Sequence, residues 1–378
     1  MTKRLCGALL IVVLLAAACG PGKPQGEVII YVAAPLSGFQ ANGGQTVLGG
    51  ARLKAEEINK AGGLLGYKVV VLGLDDQSDS EVAVAVAEEV KAALAEGKRV
   101  LGVVGHYNSG QTIAAMRTYK DLPLIVITPT ASAMELAQQG YTNFFRVNAN
   151  NATQARVDAE YLVQVLGARQ VAVIYNDDPY GIDLGRLMAQ ELARLGGEVV
   201  LNLQVAVEQS TFAQEVVQIK DAQPEAIFYG GYEVEAPYLV AELREAEVEV
   251  PFLASDGAFL SATIDEAAGA AEGIYVSSFA PSPAQVVGEE WIRAYQEIES
   301  RNPDTYSING YSALAVLVEG AKKAKSFDAE KVAQAIRQLH FDTPAAPIAY
   351  TAEGELQTQP IYIFQVQNDT FVQVAVTP

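Results

Sequence analysis

Short apolar runs and longer amphipathic segments follow one another along this chain in a regular order. The run "EVIIYVAAP" (27–35) precedes "GGARLKAEEINKAGG", whose apolar residues have helical spacing and which ends at paired glycines, as helices do. From about residue 150 the same order starts again over a similar length. The pattern predicts βαβ units, and therefore parallel sheets with helices on both faces.

A third region follows these two halves. After Ala280, helical spacing predicts two helices, over 284–301 and 308–325, then a short helix at 329–339 and a terminal β region. The fold class is therefore α/β, with two doubly wound, Rossmann-like units. The length of 378 residues is sufficient for two such domains.

The first 18 residues have the order of a secretory signal peptide. A charged start precedes an apolar core over 5–15, and three alanines stand before the cleavage site. The core is too short to span a bilayer comfortably as a helix. We therefore assign residues 1–18 to a signal peptide and predict an exported protein.

Cys19 follows directly and begins a pliant segment, 19–26, that has the composition of a tether. This arrangement resembles a bacterial lipoprotein signal, in which the new amino-terminal cysteine is lipidated and anchors the protein to the cell membrane. An ordinary secretory signal, which would leave the protein in the periplasm, is the alternative. The only other cysteine, Cys6, lies inside the removed peptide, so the mature chain can form no internal disulfide.

Charge argues against nucleic acid as a partner. The formal net charge is −19, and it becomes −21 when the two basic residues of the signal peptide are removed. An acidic surface repels nucleic acid and anionic membrane surfaces. In addition, no DNA-binding helix pair precedes the first strand.

Motifs for cofactors, metals and catalysis are weak. No G-x-x-x-x-G-K-[ST] is present, and "GGQTVLGG" lacks the G-x-G-x-x-G spacing. His106 and His340 are the only histidines, too few for the usual metal motifs. Ser109 does not fit G-x-S-x-G, since Tyr107 stands where the first glycine should be. We expect no cofactor, no metal and no enzymatic activity, and we interpret His106 as a structural or pocket-rim histidine.

Ligand-binding residues are expected beyond the carboxyl ends of the strands. Ser109 follows one apolar strand and begins a helical segment, while Thr130 and Ser132 follow the next strand and open the next helix. Two neighbouring helix starts with hydroxyl groups suit a carboxylate. In the second half, Asp256 could receive an ammonium group. Helix capping alone is the alternative interpretation of both Ser109 and Asp256.

These segments together resemble the leucine/isoleucine/valine-binding family of ABC-transporter periplasmic binding proteins, which have the type I periplasmic-binding fold. The likeness covers essentially the whole mature chain and is carried by "PLSG", "EINKAGGLLG", "DDQSD", "ITPTASAMEL", "VAVIYNDDPYG", "IFYGGYEVEA" and "FLASDG". The resemblance implies two lobes that are joined by a three-crossover hinge and close on a ligand. Lobe 1 would comprise 27–148 and 281–357, and lobe 2 would comprise 149–280 and 358–378.

The resemblance also implies roles for lobe 1 residues. Ser109 would bind the ligand carboxylate through its hydroxyl and N–H groups. Ser132 stands where the family usually has threonine and would contact both the carboxylate and the ammonium group. Thr130 would offer its carbonyl to the ammonium group, and Ala131 belongs to the same ligand-binding stretch.

From lobe 2, Tyr180 and Tyr232 would cover the ligand, and Asp256 stands where a glutamate often pairs with the ammonium group. Gly43 stands where the family can place a tyrosine over the side-chain pocket, which leaves the side-chain preference open. Some members join two loops by a disulfide at the positions of Ser78 and Asn108, and neither is a cysteine here.

The function implied is capture of a small aliphatic, branched-chain-type amino acid for an ABC permease and its ATPase. The alternatives are a receptor of the same fold for an amide, urea or an aromatic or organic acid, and a sensory receptor that reports to a signalling partner.

Overall fold

The computed structural model describes residues 24–377. The predicted signal peptide, Cys19 and the tether as far as residue 23 lie outside the described residues. The strands are β1 Glu27–Ala34, β2 Lys68–Asp75, β3 Val100–Gly105, β4 Ile125–Thr128, β5 Phe144–Arg146, β6 Gln170–Asn176, β7 Glu198–Val205, β8 Ala226–Gly230, β9 Phe252–Ala254, β10 Tyr275–Ser278, β11 Phe341–Asp342, β12 Pro347–Ile348, β13 Ile361–Gln367 and β14 Thr370–Thr377.

The helices are α1 Ala41–Lys60, α2 Ser80–Ala95, α3 Ser109–Tyr119, α4 Glu135–Gln138, α5 Asn151–Glu160, α6 Pro179–Arg194, α7 Ala213–Ala222, α8 Ala236–Glu245, α9 Ser261–Asp265, α10 Pro283–Val286, α11 Glu289–Glu299, α12 Thr305–Ala324 and α13 Ala329–Ile336. A π-helical segment, Tyr161–Val165, extends α5, and Asp256–Ala258 forms a 3₁₀ turn. None of the helices in this range is long and apolar enough to cross a membrane.

The first sheet has the strand order β2-β1-β3-β4-β5, and all its strand pairs are parallel. Every residue of β3 and β4 is buried, as expected for strands that helices cover on both faces. One face packs in an apolar cluster with α1 and α12, and the other packs with α2 and α3. This sheet and its helices form lobe 1.

The second sheet has the order β14-β13-β10-β9-β8-β6-β7 and forms lobe 2 with helices on both faces. Its strands β6 to β10 are parallel, whereas β13 and β14 form an antiparallel hairpin at one edge. The hairpin turn contains Asn368 and Asp369 at φ 51° and 57°. Asn and Asp tolerate this left-handed conformation, which matches the twist of a two-residue hairpin. The α/β fold class is confirmed, with this antiparallel edge added to the parallel pattern.

Three segments connect the two sheets, at about 147–150, 279–282 and 357–360. A buried ion pair links two of these regions, since Arg146 Nε lies 2.7 Å from Glu355 Oε1. Asn150 also donates to the Glu355 carboxylate, at 2.8 Å. We propose that the lobes divide at these three segments.

The helices after residue 280 differ from the predicted ones. The predicted helix over 284–301 is interrupted at Val287–Gly288, and α11 begins after Gly288. The next helix begins earlier than expected because the Asp304 side chain caps it, accepting a hydrogen bond from Ser307 N at 3.0 Å. The apolar spacing located both helices, but the capping residues determined where they begin.

Candidate functional site

Ser109 lies at the carboxyl edge of the first sheet, where β3 leads into α3. It is the first residue of α3 and is almost fully buried, so the prediction that it lies in the first turn of a helix is confirmed. Its Oγ accepts hydrogen bonds from the N–H groups of Ser132 and Ala133, each at 3.1 Å. Because neither bond uses the hydroxyl hydrogen, Ser109 can donate that hydrogen to an anionic oxygen.

The segment after β4 does not open a helix at Thr130 and Ser132, so that prediction is wrong. Residues 129–134 form a loop, and α4 begins only after it. Side chains from other segments form hydrogen bonds with the backbone of this loop. Ser109 accepts from two N–H groups, and the Arg146 guanidinium donates to two carbonyls at 3.1 and 3.2 Å. The two N–H groups are therefore bonded to Ser109 and not to a helical carbonyl, whereas the Ala133 carbonyl also accepts from Leu136 N at 3.4 Å.

Thr130, Ala131 and Ser132 all line the cleft between the lobes. The Thr130 carbonyl accepts a hydrogen bond from Asn148 Nδ2 at 2.9 Å, which leaves one of its two lone pairs. The Ser132 Oγ is buried and has no hydrogen-bond partner among the described residues. A buried hydroxyl without a partner is costly, and a polar ligand would satisfy it.

Asp256 lies in the 3₁₀ turn after β9, on the opposite wall of the cleft, and is 5% exposed. Its Oδ1 accepts a short hydrogen bond, 2.6 Å, from the Tyr180 hydroxyl. Burial raises the pKa of Asp256 to about 7, although the bond from Tyr180 opposes the rise. None of the largest contributions to this pKa comes from a basic side chain. The carboxyl group is therefore suited to a cation that a ligand brings.

Tyr180 and Tyr232 stack beside Asp256, with ring centroids 5.6 Å apart and planes at 10°. Tyr180 lies in the first turn of α6, where its N–H donates to Asp178 Oδ1 at 2.8 Å. The Tyr232 hydroxyl is buried and has no hydrogen-bond partner among the described residues, although the nearby Asp178 carboxyl contributes to raising its pKa. Both residues line the cleft.

Four further cleft residues were given no binding role in the sequence analysis: Tyr107, Asn108, Gly257 and Tyr306. The first three are sequence neighbours of Ser109 or Asp256, so their positions at strand ends could have indicated them. Tyr306 lies on α12, far from any strand end, and donates its hydroxyl to the Asp256 carbonyl at 2.7 Å. Only the packing of the two lobes brings Tyr306 to this site.

The two lobes are in contact around the cleft. Met134 N in lobe 1 donates to Asp183 Oδ2 in lobe 2 at 2.9 Å, and Tyr306 bridges the lobes through Asp256. The space between them is small, about 20 Å³ for the centre of a water molecule. It is lined by Tyr107, Asn108, Ser109, Thr130, Ala131, Ser132, Tyr180, Tyr232, Asp256, Gly257 and Tyr306. The structure thus brings all seven predicted ligand-binding residues to one cleft.

His106 does not line this cleft. It is fully buried, with Nδ1 2.7 Å from Asp76 Oδ2 and Nε2 3.3 Å from the Tyr119 hydroxyl. Its carbonyl accepts from the Thr128 hydroxyl at 2.9 Å, which ties β3 to β4. The interpretation of His106 as a hydrogen-bonded structural residue is confirmed.

The positions of the family disulfide, Ser78 and Asn108, are linked here by hydrogen bonds. Asn108 Nδ2 lies 3.2 Å from Ser78 Oγ, and both side chains donate to Gln40 Oε1, at 2.6 and 2.8 Å respectively. Amide and hydroxyl groups therefore hold these two loops together.

Hydroxyl groups on one wall and a carboxyl group on the other make a site for a molecule with separate anionic and cationic groups. Ser109 Oγ contacts backbone N–H groups, and no histidine or carboxylate among the described residues is hydrogen-bonded to it as a base. In the same range, no group of three His, Cys, Asp or Glu residues is arranged to hold a metal ion.

The chain matches a known protein family and several named relatives. A family model described as "Periplasmic binding protein" matches residues 28–370. The chain is similar to a Leu/Ile/Val-binding protein homolog of Brucella abortus, at 28% identity over 88% of this chain and 89% of the relative. It is also similar to the leucine-, isoleucine-, valine-, threonine- and alanine-binding protein of Pseudomonas aeruginosa, at 27% identity over 90% of each chain.

Among solved structures, a leucine-binding protein from Thermotoga maritima superposes with a TM-score of 0.84. Its sequence identity is 24%, and the match covers 92% of this chain and 98% of that one. At this identity the likeness establishes a shared fold.

Proposed function

The chain belongs to the periplasmic binding protein family, and from this premise we propose that it is the exported solute-binding component of an ABC importer. It captures a small aliphatic amino acid between its two lobes. The relatives' names give leucine, isoleucine and valine, and one of them adds threonine and alanine. Its partners are the permease and ATPase subunits that receive the ligand. The protein binds and releases the ligand without making or breaking a covalent bond.

The observation that carries this proposal is the opposite polarity of the two walls within one buried cleft. On the lobe 1 wall, Ser109 has a free hydroxyl hydrogen and Ser132 has an unpartnered hydroxyl. On the lobe 2 wall stands the Asp256 carboxyl group. A zwitterion satisfies both walls, whereas a ligand with a carboxylate alone would be repelled by an ionised Asp256.

The other cleft residues have supporting roles in this proposal. Thr130 offers the remaining lone pair of its carbonyl to the ammonium group, and Ala131 lines the cleft between Thr130 and Ser132. Tyr180 and Tyr232 cover the ligand from lobe 2, where their stacked rings exclude water from the ion pairs.

Ligand-dependent stabilisation tests the proposal. Thermal unfolding is measured with a panel of aliphatic amino acids, amides and organic acids, because a ligand that binds only the folded state raises the melting temperature with concentration. We expect shifts with amino acids. If only amides or organic acids stabilise the protein, the amino-acid assignment is wrong.

The Asp256→Asn variant tests the ammonium site separately. It should weaken binding of the amino acid far more than binding of the same molecule without its amino group. Equal losses for both ligands would exclude contact between Asp256 and the ammonium group.

We also propose that Cys19 is lipidated and anchors the protein to the cell membrane. In cells grown with labelled palmitate, the wild-type protein should carry the label and the Cys19→Ala variant should not. An unlabelled wild-type protein would indicate the ordinary secretory signal instead.

A further inference from the structure

The end of the cleft beyond Ser109 is closed by two tyrosine rings. Tyr107 follows β3 and Tyr306 lies on α12, and their rings meet edge to face with centroids 5.2 Å apart. Both are at least 95% buried, and both line the cleft. The hydrogen bond from Tyr306 to the Asp256 carbonyl holds the second ring in place.

Tyr107 has room in this position because residue 43, on α1, is a glycine. A Cβ atom on Gly43 would lie 2.4 Å from the Tyr107 hydroxyl oxygen and 2.8 Å from Cζ, far inside van der Waals contact. A ring from the β3–α3 connection therefore fills the space in front of Gly43.

The cleft offers little apolar surface to a branched side chain. Among the described residues that line it, only Ala131 carries an aliphatic side chain, and four are tyrosines. The space is also small, since the centre of a water molecule can occupy only about 20 Å³ of it, and it must hold the charged groups of the ligand as well.

The contacts of the ligand leave one side for its side chain. Ser109 and Ser132 hold the carboxylate, and Asp256 holds the ammonium group. Tyr180 and Tyr232 cover the ligand from lobe 2, so the substituent on the α-carbon is left to face the rings of Tyr107 and Tyr306. We infer that the Tyr107 ring limits the size of this substituent, so that the cleft takes glycine, alanine or serine and excludes valine, leucine and isoleucine. This inference rests on the proposed function and narrows its ligand class.

Calorimetric titration of the wild-type protein with these six amino acids measures the size limit. One methylene group too many in a filled pocket typically costs about tenfold or more in binding. Alanine should therefore bind at least about tenfold more tightly than leucine. If leucine binds as tightly as alanine, the size limit is overturned while the amino-acid function stands. If none of the six binds, the proposed function itself fails.

Variants at Tyr107 assign the limit to its ring. Tyr107→Ala should tighten leucine binding by about tenfold or more, because the space left by the ring lets the leucine side chain be buried. Tyr107→Phe is the matched control, since it keeps the ring and should keep the preference for alanine. Circular dichroism verifies that each variant is folded, and Tyr107→Leu replaces Tyr107→Ala if the latter is not. A folded variant without the ring that still prefers alanine would overturn the role of Tyr107.

Gly43→Ala provides the converse perturbation. Its new Cβ forces the Tyr107 ring to move, and the cleft is the side on which space is available. Alanine binding should then fall several-fold more than glycine binding. An equal loss for both ligands would contradict the size argument.

Discussion

Binding of an amino acid by this cleft should depend on pH through Asp256. Burial between the lobes raises the pKa of this carboxyl group to about 7 in the closed arrangement described here, and an ammonium ligand requires its ionised form. Below pH 7 the ligand must therefore displace a proton. The apparent dissociation constant should rise about tenfold between pH 8 and pH 6 and about 100-fold between pH 8 and pH 5.

The sign of the effect follows from the two states of the protein. The free protein binds the proton more tightly than the complex does, since the ligand's ammonium group lowers the pKa of Asp256 again. Affinity is then highest above pH 7 and falls as the pH decreases. At pH 6 each binding event should release about 0.9 protons, and at pH 8 about 0.1.

Isothermal titration calorimetry with alanine, in buffers of different ionisation enthalpy, measures both the affinity and the proton release. Propionate, which is alanine without its amino group, should show no loss of affinity on acidification, because a neutral Asp256 repels it less. Tyr180→Phe removes the hydrogen bond that opposes the raised pKa, so its transition should move to higher pH.

Other buried carboxyl groups titrate in the same range, since the pKa of Glu233 is raised to about 8 and that of Asp304 to about 6. Asp256→Asn separates their contribution, because it removes only the group that faces the ammonium ion. If the affinity for alanine varies less than twofold from pH 5 to pH 8, Asp256 does not control binding. The same conclusion would follow if the affinity of Asp256→Asn depended on pH as steeply as that of the wild-type protein.

Two further predictions concern hydrogen bonds of the cleft and the hinge. Ser132→Ala should weaken amino-acid binding by about tenfold or more and leave the free energy of unfolding within about 0.5 kcal/mol, because Ser132 Oγ has no described protein partner. Ser109→Ala should weaken binding similarly and also destabilise the protein by about 1–3 kcal/mol, since two backbone N–H groups lose their acceptor. Calorimetry measures the binding of both serine variants, and urea unfolding measures their stability. Equal stabilities of the two variants would contradict the assigned contacts. Arg146→Met should cost about 3–5 kcal/mol in urea unfolding because it leaves the Glu355 carboxylate without its counter-ion, and Glu355→Gln in the same chain should recover part of the loss. A loss below about 1 kcal/mol would mean that the ion pair contributes little.

The sequence alone was sufficient for the fold class and for most of the cleft. Apolar runs separated by amphipathic helices predict doubly wound sheets, and ligands bind at the carboxyl ends of such strands. Ser109 and Ser132 could therefore be identified as neighbours at one sheet edge, and the family resemblance placed Asp256 opposite them. These inferences depend on local periodicity, on a general rule of sheet topology and on that resemblance.

Tertiary structure decided the features that depend on partners distant in sequence. Ser132 lies in a loop because Arg146 and Ser109 pair its backbone neighbours, and no local pattern reveals those bonds. Tyr306 reaches the cleft from α12, which returns to lobe 1 only after the second crossover.

The same distinction holds for the pKa of Asp256 and for the side-chain end of the cleft. The carboxyl pKa reflects burial between two lobes, which composition does not determine. Gly43 by itself suggests an open pocket, but the Tyr107 ring packs into the space that a side chain at residue 43 would occupy. The sequence determined which residues meet at the cleft. The packing of α1 and α12 within lobe 1, and of the two lobes against each other, decided how much space these residues leave for a ligand. In a close-packed interior, a neighbouring side chain fills any space that it can reach.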